Sequence, residues 1–444
     1  MHAKPTHMNM MACLKRFALL AAGLVISLQA HAGVKIENWQ TSTGAEVYFV
    51  ENHDLPIIDI SIDFAAGSAR DEPAKAGLAG VTRHMMTTGA AGMSEEDISR
   101  RMADIGAILG GELDLDRAAF KLRTLSNQRE RDQALDIFTG IIQQPDFPEA
   151  ILQREKTRII AGLKEAATKP DTISSKTFMK ALYGSHPYGL DSEPETVNAI
   201  QRDDLLKFYQ THYGAGNAVI ALIGDMSREQ ANEIAERLSS GLPKAESPGA
   251  LPAVPLPTQP SEQRIEHPAT QSHIVLGYPG VRRGDPDYFA LYVGNYILGG
   301  GGFVSRLTEE VREKRGLVYS VNSYFMPMAV EGPFQIGLQT KKEQGAEALK
   351  VVRDTLDKFI RQGVTETELK AAKQNIIGSF PLRIDSNAKI LDYLAVIGFY
   401  KLPLTYLDDF NKEIDRVTTA QIKDAFNRRL KTDNMVTVIV GTAQ

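Results

Sequence analysis

Two stretches of this sequence hold residue types and spacings that could do chemistry. In the first, Arg312 and Tyr319 lie seven residues apart, with Gly316 between them. The apolar spacing predicts an amphipathic helix over 303–314, with Gly316 as its C-terminal cap and a strand entered at Leu317. A residue near the helix end and one at the strand start then point to one place. Arginine offers a rigid fork of donors and tyrosine a phenolic donor, which suits a developing oxyanion. Four glycines precede them, Gly299, Gly300, Gly301 and Gly302. They match neither phosphate-cradling pattern, so they are expected to form a flexible loop against a substrate or a site of close packing. In the second stretch, Ala76–Gly89, Arg83 and His84 sit on a helix predicted over 76–88. A single imidazole does not hold zinc. His84 is therefore expected to be a helix histidine held by a hydrogen bond. His186 and His212 lack ligand spacing, and a metal site rebuilt from the three is the least favoured reading.

The surroundings narrow the chemistry further. The chain has 444 residues, enough for two or three domains, with an ordinary hydrophobic content of 43%. Its single cysteine, Cys13, excludes a disulfide framework and any cysteine-based metal site. Lys15 and Arg16, the apolar run 17–28 and Ala30-His31-Ala32 read as a secretory signal peptide over residues 1–32, cleaved after Ala32. The run is too short to span a membrane comfortably. Export to the periplasm follows, with membrane contact only through the leader. Without Lys4, Lys15 and Arg16 the chain keeps 47 bases against 55 acids. That acidic balance gives no support to nucleic-acid binding.

Six prolines between Pro243 and Pro260 predict an extended linker, 243–261, dividing the rest into domains 33–242 and 262–444. The two look like copies. The segment from Asp204 to Gly224 matches that from Gln421 to Gly441 at a constant offset of 217, as helix, turn with Asn, then strand. A second match, Ile142 to Ile159 against Ile360 to Ile377, runs at 218. Within the first copy, 46–50, 57–65 and 120–125 read as strands, and 95–105, 129–143 and 148–167 as helices. The fold class is α+β: two homologous domains, each an antiparallel-leaning sheet covered by helices.

At this point the sequence resembles a known family. The Ala76–Gly89 segment is similar to the zinc helix of the pitrilysin/insulinase (M16) metallopeptidases, which carry an inverted His-x-x-Glu-His motif. The glycine-rich Arg312/Tyr319 segment is similar to the C-terminal signature of the same family, with its LuxS/processing-peptidase-like metallohydrolase fold. In that family two histidines one helical turn apart and a later Glu bind zinc, and the intervening Glu is the general base. Carried over, the first His falls at Gly80, the base at Arg83 and the second His at His84. The third ligand falls at Ala161 or Gly162, while Glu155 matches a retained acidic position that is not a ligand. No catalytic group and no metal are therefore expected in this chain.

The resemblance implies that Arg312 and Tyr319 bind substrate backbone, with the glycines 299–302 beside them. It further implies a two-chain periplasmic zinc peptidase. A partner with an intact His-x-x-Glu-His motif supplies zinc and base, and this chain closes the chamber around a peptide. The competing reading is a non-proteolytic peptide-binding or scaffold protein of the same fold, as some zinc-less members are in respiratory complexes.

Overall fold

A computed structural model describes residues 34–245 and 248–441. The leader read over 1–32 lies outside the described residues. Among the described residues, no helix is long and apolar enough to cross a membrane.

The first sheet uses β1 (Glu37–Gln40), β2 (Glu46–Glu51), β3 (Ile57–Phe64), β6 (Ile108–Gly110), β7 (Ala118–Leu125) and β8 (Ala218–Gly224), after a short β4–β5 ladder (Gly89–Ala90, Met93–Ser94). Its order is β1-β2-β8-β3-β7-β6, and only β2–β8 is parallel. The second sheet uses β9 (Ser261–Ile265), β10 (Gln271–Val281), β11 (Val318–Phe325), β12 (Gly332–Lys341) and β13 (Val436–Val440), in the order β11-β12-β10-β13-β9. There only β13–β9 is parallel. Read from opposite ends the two orders coincide, with β1 an extra edge strand. The α+β class and the helix-covered, mainly antiparallel sheets are as expected.

The helices are α1 (Leu78–Met85), α2 (Glu95–Asp104), α3 (Gln128–Gln143), α4 (Glu149–Ala166), α5 (Pro170–Tyr183), α6 (Pro194–Ala199), α7 (Arg202–His212) and α8 (Arg228–Ser240). In the second copy they are α9 (Tyr288–Asn295), α10 (Gly345–Gln362), α11 (Glu366–Ser379), α12 (Asn387–Phe399), α13 (Tyr406–Arg416) and α14 (Thr419–Arg429). The first residues of α3, α4, α5 and α7 lie 217 before those of α10, α11, α12 and α14. The caps of the last pair repeat as well. Gln201 with Asp204 and Thr418 with Gln421 each form a reciprocal capping box.

The copies exchange one helix each. α5 lies against β10 and β13 of the second sheet, and α12 against β8 and β3 of the first. Phe178 and Tyr183 of α5 are buried with Val436, Val438 and Val440 of β13. Gly398 of α12 sits so close to β2 and β8 that a Cβ there would come within 2.5 Å of Val219 and 2.7 Å of Tyr48. Each sheet completes its cover with a helix from the other copy, so the described residues from Ile36 onward form one compact unit. The proline-rich stretch is laid on this body. Val254 is buried, and the Pro252 carbonyl lies 3.0 Å from His186 Nε2.

Two helices start two or more residues later than expected, and the first also ends three residues early, at Met85. α1 starts at Leu78, not Ala76, because Gly77 adopts φ 103° and ends the preceding turn. The half-buried Asp71 carboxylate accepts from Gly77 N and Ala79 N, both at 2.7 Å, which fixes that start. The helix expected from Phe303 begins instead at Arg306. Residues 302–304 form a 3₁₀ turn, Gly302 has φ 62°, and Ser305 Oγ lies 3.4 Å from Thr308 N as the cap. Its later part, Thr308–Glu313, is wound as a π-helix.

Candidate functional site

The turn after this helix brings Arg312 and Tyr319 together. Gly316, at φ 63°, donates to the Arg312 carbonyl at 2.7 Å, and Leu317 donates to Val311 at 3.0 Å. Both are the backbone bonds of a left-handed glycine cap. β11 then pairs with β12, but its register shifts between Val318 and Ser320, so Tyr319 is the bulged residue. A bulge re-aims the side chain it carries. Tyr319 turns outward and is 81% exposed. The Arg312 guanidinium lies over its ring, 5.3 Å from the centroid, and 4.8 Å from that of Phe303. Glu313 stands 3.5 Å from Arg312 Nε, a loose contact that leaves most of the fork free. Phe303 and Val304 are also largely exposed, which makes this edge an apolar rim around one cation.

The glycines before it are mainly a packing device. A Cβ on Gly299 would fall 2.4 Å from Ser323 Oγ and 2.7 Å from Ser323 N of β11. One on Gly301 would fall 2.6 Å from the Tyr296 carbonyl, and one on Gly300 2.7 Å from Asn295 Nδ2. Gly302 has open space and is explained by its positive φ. Asn295 ties the loop down, donating from Nδ2 to the Ser323 carbonyl at 2.9 Å and accepting from Ser323 Oγ at 2.7 Å.

The second stretch is built as a closed polar cluster. His84 Nε2 lies 2.9 Å from Glu155 Oε2 on α4 and 3.2 Å from Arg158 Nη2. Glu155 is buried and receives Arg154 Nε at 2.8 Å and Arg158 at 2.6 Å. Burial pushes its pKa up, but the hydrogen bonds from His84, Arg158 and Arg154 outweigh that and hold it down at about 2. His84 is thus the hydrogen-bonded helix histidine expected, and Glu155 is its partner, which sequence reasoning did not supply. Arg83 turns the other way. Its Nε donates to the Ala119 carbonyl at 3.0 Å, and its guanidinium lies 5.2 Å from the Phe120 ring centre.

Zinc does not fit these residues. Gly80 has no donor and lines a cavity of about 430 Å³ with Asp71, Leu113 and Lys176. Ala161 and Gly162 are exposed on α4, and neither has a donor side chain. The one imidazole in place is committed to a carboxylate ringed by two arginines. Among the described residues, no group of three or more His, Cys, Asp or Glu side chains could hold a metal ion. His186 is a turn residue, accepting from Tyr188 N at 3.1 Å. His212 is half-buried against Phe208, and desolvation together with the Arg70 charge lowers its pKa to about 4.

Family models match most of this architecture. Residues 47–193 match the insulinase (peptidase family M16) model, and residues 199–376 the peptidase M16 inactive domain. The chain belongs to the M16 peptidase family. It is similar to the crystal structure of a peptidase M16 inactive domain from Pseudomonas fluorescens, with 40% identity, a TM-score of 0.89, and 92% of this chain and 98% of that one covered. It is 24% identical to the "Non-peptidase homolog YmxG" of Helicobacter pylori, over 96% of this chain and 99% of that protein. It is 25% identical to the "Uncharacterized zinc protease YmxG" of Bacillus subtilis, over 91% and 98%. Within M16, this chain is an inactive-type homologue.

Proposed function

We propose that this chain is the exported, substrate-binding subunit of a two-chain M16 zinc peptidase. One observation carries the reading. The donor pair Arg312–Tyr319 stands open on an apolar rim, while two ligand positions of the family motif fall at Gly80 and at Ala161 or Gly162, and its base position at Arg83. A chain that keeps backbone-binding donors but not the zinc-binding side chains is one half of a site. Zinc, the nucleophilic water and the base belong to a periplasmic partner with an intact His-x-x-Glu-His motif. This chain contributes Arg312, Tyr319 and part of a chamber wall around a peptide.

Co-expression with an exported chain bearing that motif tests the reading. The two are expected to purify together, and peptide cleavage to require both chains and zinc. Cleavage by this chain alone, with one zinc bound per chain, overturns it. The name of the Helicobacter relative, a non-peptidase homolog, favours a second reading, a peptide-binding or scaffold protein without proteolysis. A stable complex with a partner that carries no zinc motif, and no peptidase activity from it, would support that one.

A further inference from the structure

A second cavity, of about 420 Å³, opens between the start of α9 and the loop that follows α12. Its walls include Tyr288, Phe289, Leu402, Pro403 and Tyr406. These side chains are apolar or present ring faces, which is the usual lining of a small-molecule site. Four charged groups also reach it, and three are already matched. Asp285 receives Arg429 at 2.7 Å, Asp409 receives Lys412 at 2.8 Å, and Glu413 receives Arg416 at 2.5 Å. The fourth is Arg283. No carboxylate among the described residues pairs with its guanidinium, and its buried Nε has no hydrogen-bond partner there. A buried N–H of a cation without an acceptor is costly, and native structures rarely leave one unmatched.

The guanidinium is nevertheless held in place. The Arg283 backbone donates to the Met328 carbonyl at 2.8 Å. The side chain lies 5.4 Å from the centre of the Tyr400 ring, and the Tyr400 hydroxyl is anchored on Asp116 at 2.9 Å. The ring face offsets part of the missing pairing but supplies no acceptor in the plane of the fork. Fixed backbone, stacked ring and in-plane donors without a partner are what a planar two-oxygen anion needs.

We infer that this cavity is a binding site for a carboxylate with an apolar or aromatic body, its oxygens on Arg283 and its body against Phe289, Tyr406 and Leu402. Two sources carry that chemistry, a free aromatic acid and the C-terminus of a peptide ending in an apolar residue. The site is separate from Arg312 and Tyr319, and it stands or falls without the peptidase reading.

Calorimetric titration of the purified full chain tests it with four probes: 3-phenylpropionate, 3-phenylpropanamide, N-acetyl-Ala-Ala-Phe and its C-terminal amide. At least one acid should bind with a Kd at or below about 1 mM, and its amide about tenfold or more weaker. The better acid identifies the source. Arg283→Gln should lose the same factor, and Arg283→Lys should recover part of it, with unfolding midpoints confirming that both variants fold. The inference is overturned if neither acid binds by about 10 mM, if acid and amide bind alike, or if Arg283→Gln binds as well as the parent.

Discussion

The Arg312 guanidinium lies 5.3 Å from the centre of the Tyr319 ring, and Phe303 flanks it at 4.8 Å. The ring faces hold the cation without consuming its in-plane donors, so the fork stays available to a peptide carbonyl. Arg312→Ala in the reconstituted pair is expected to lower kcat/KM by about 10²-fold, and Tyr319→Phe by about tenfold. Arg312→Lys should not rescue, because an ammonium cannot reproduce the planar fork. All three side chains reach solvent, so unfolding midpoints should stay close to the parent. Unchanged peptidase rates in the Arg312→Ala and Tyr319→Phe variants would remove the pair from the site.

His84 and Glu155 form an ion cluster with Arg154 and Arg158. Glu155 has its pKa lowered to about 2 in the folded chain, against an ordinary carboxylate near 4.5. A depressed carboxylate stabilises the fold above the unfolded value, and that contribution is lost as pH falls from about 4.5 toward 2. The arginine heads are exposed, so screening limits the contribution to about 1 kcal/mol. Glu155→Gln should therefore lower the urea midpoint at pH 7 and have little effect near pH 2. An equal loss at both pH values would mean that packing, not charge, holds the cluster.

The same cluster predicts the response to metal. Zinc added to the purified chain, or chelator, should leave its unfolding midpoint unchanged, because binding confined to the native state would raise it. Mass spectrometry of native protein should find no bound zinc. A zinc-dependent rise in the midpoint that disappears in His84→Ala would reverse this expectation.

Local sequence made the Arg312–Tyr319 pair legible, since a glycine cap and a strand start fix both ends within eight residues. The 217-residue offset made the repeated helices legible for the same reason, because caps and apolar periodicity are short-range signals. The bulge at Tyr319 and the π-winding of 308–313 were not, as both depend on how β11 meets β12 and the loop at Gly299. The His84–Glu155 bond spans 71 residues. The exchange of α5 and α12 was hidden as well. Amphipathicity says that a helix buries a face, not against which sheet.

Asp116 locks the copies together. Its carboxylate accepts from Tyr188 at 2.5 Å, Tyr400 at 2.9 Å and Ala329 N at 2.8 Å. Burial and the nearby Asp116 charge push both phenols well above their ordinary range, so they remain donors at any physiological pH. Asp116→Ala takes the acceptor from three donors, of which only the Tyr188 hydroxyl is fully buried, and should cost about 1–3 kcal/mol. Tyr400→Phe removes one donor and should cost about 1 kcal/mol. In the double variant the costs should fall short of their sum, which a cycle of denaturant midpoints measures. Strict additivity would show that the two groups do not act through one bond.

Two glycines, both in helices, should respond in opposite directions. Gly398 of α12 lies against the first sheet, and a Cβ there meets Val219 at 2.5 Å and Tyr48 at 2.7 Å. Gly398→Ala must push the exchanged helix outward, at a cost of about 1–3 kcal/mol. Gly162 of α4 faces open space, with nothing within 4 Å of a Cβ. Gly162→Ala should stabilise the helix by about 0.5–1 kcal/mol, because it only removes freedom from the unfolded chain. Urea midpoints of the two variants measure both effects. A neutral Gly398→Ala would mean that α12 is not clamped on β2 and β8, and that the copies are joined less tightly than this packing requires.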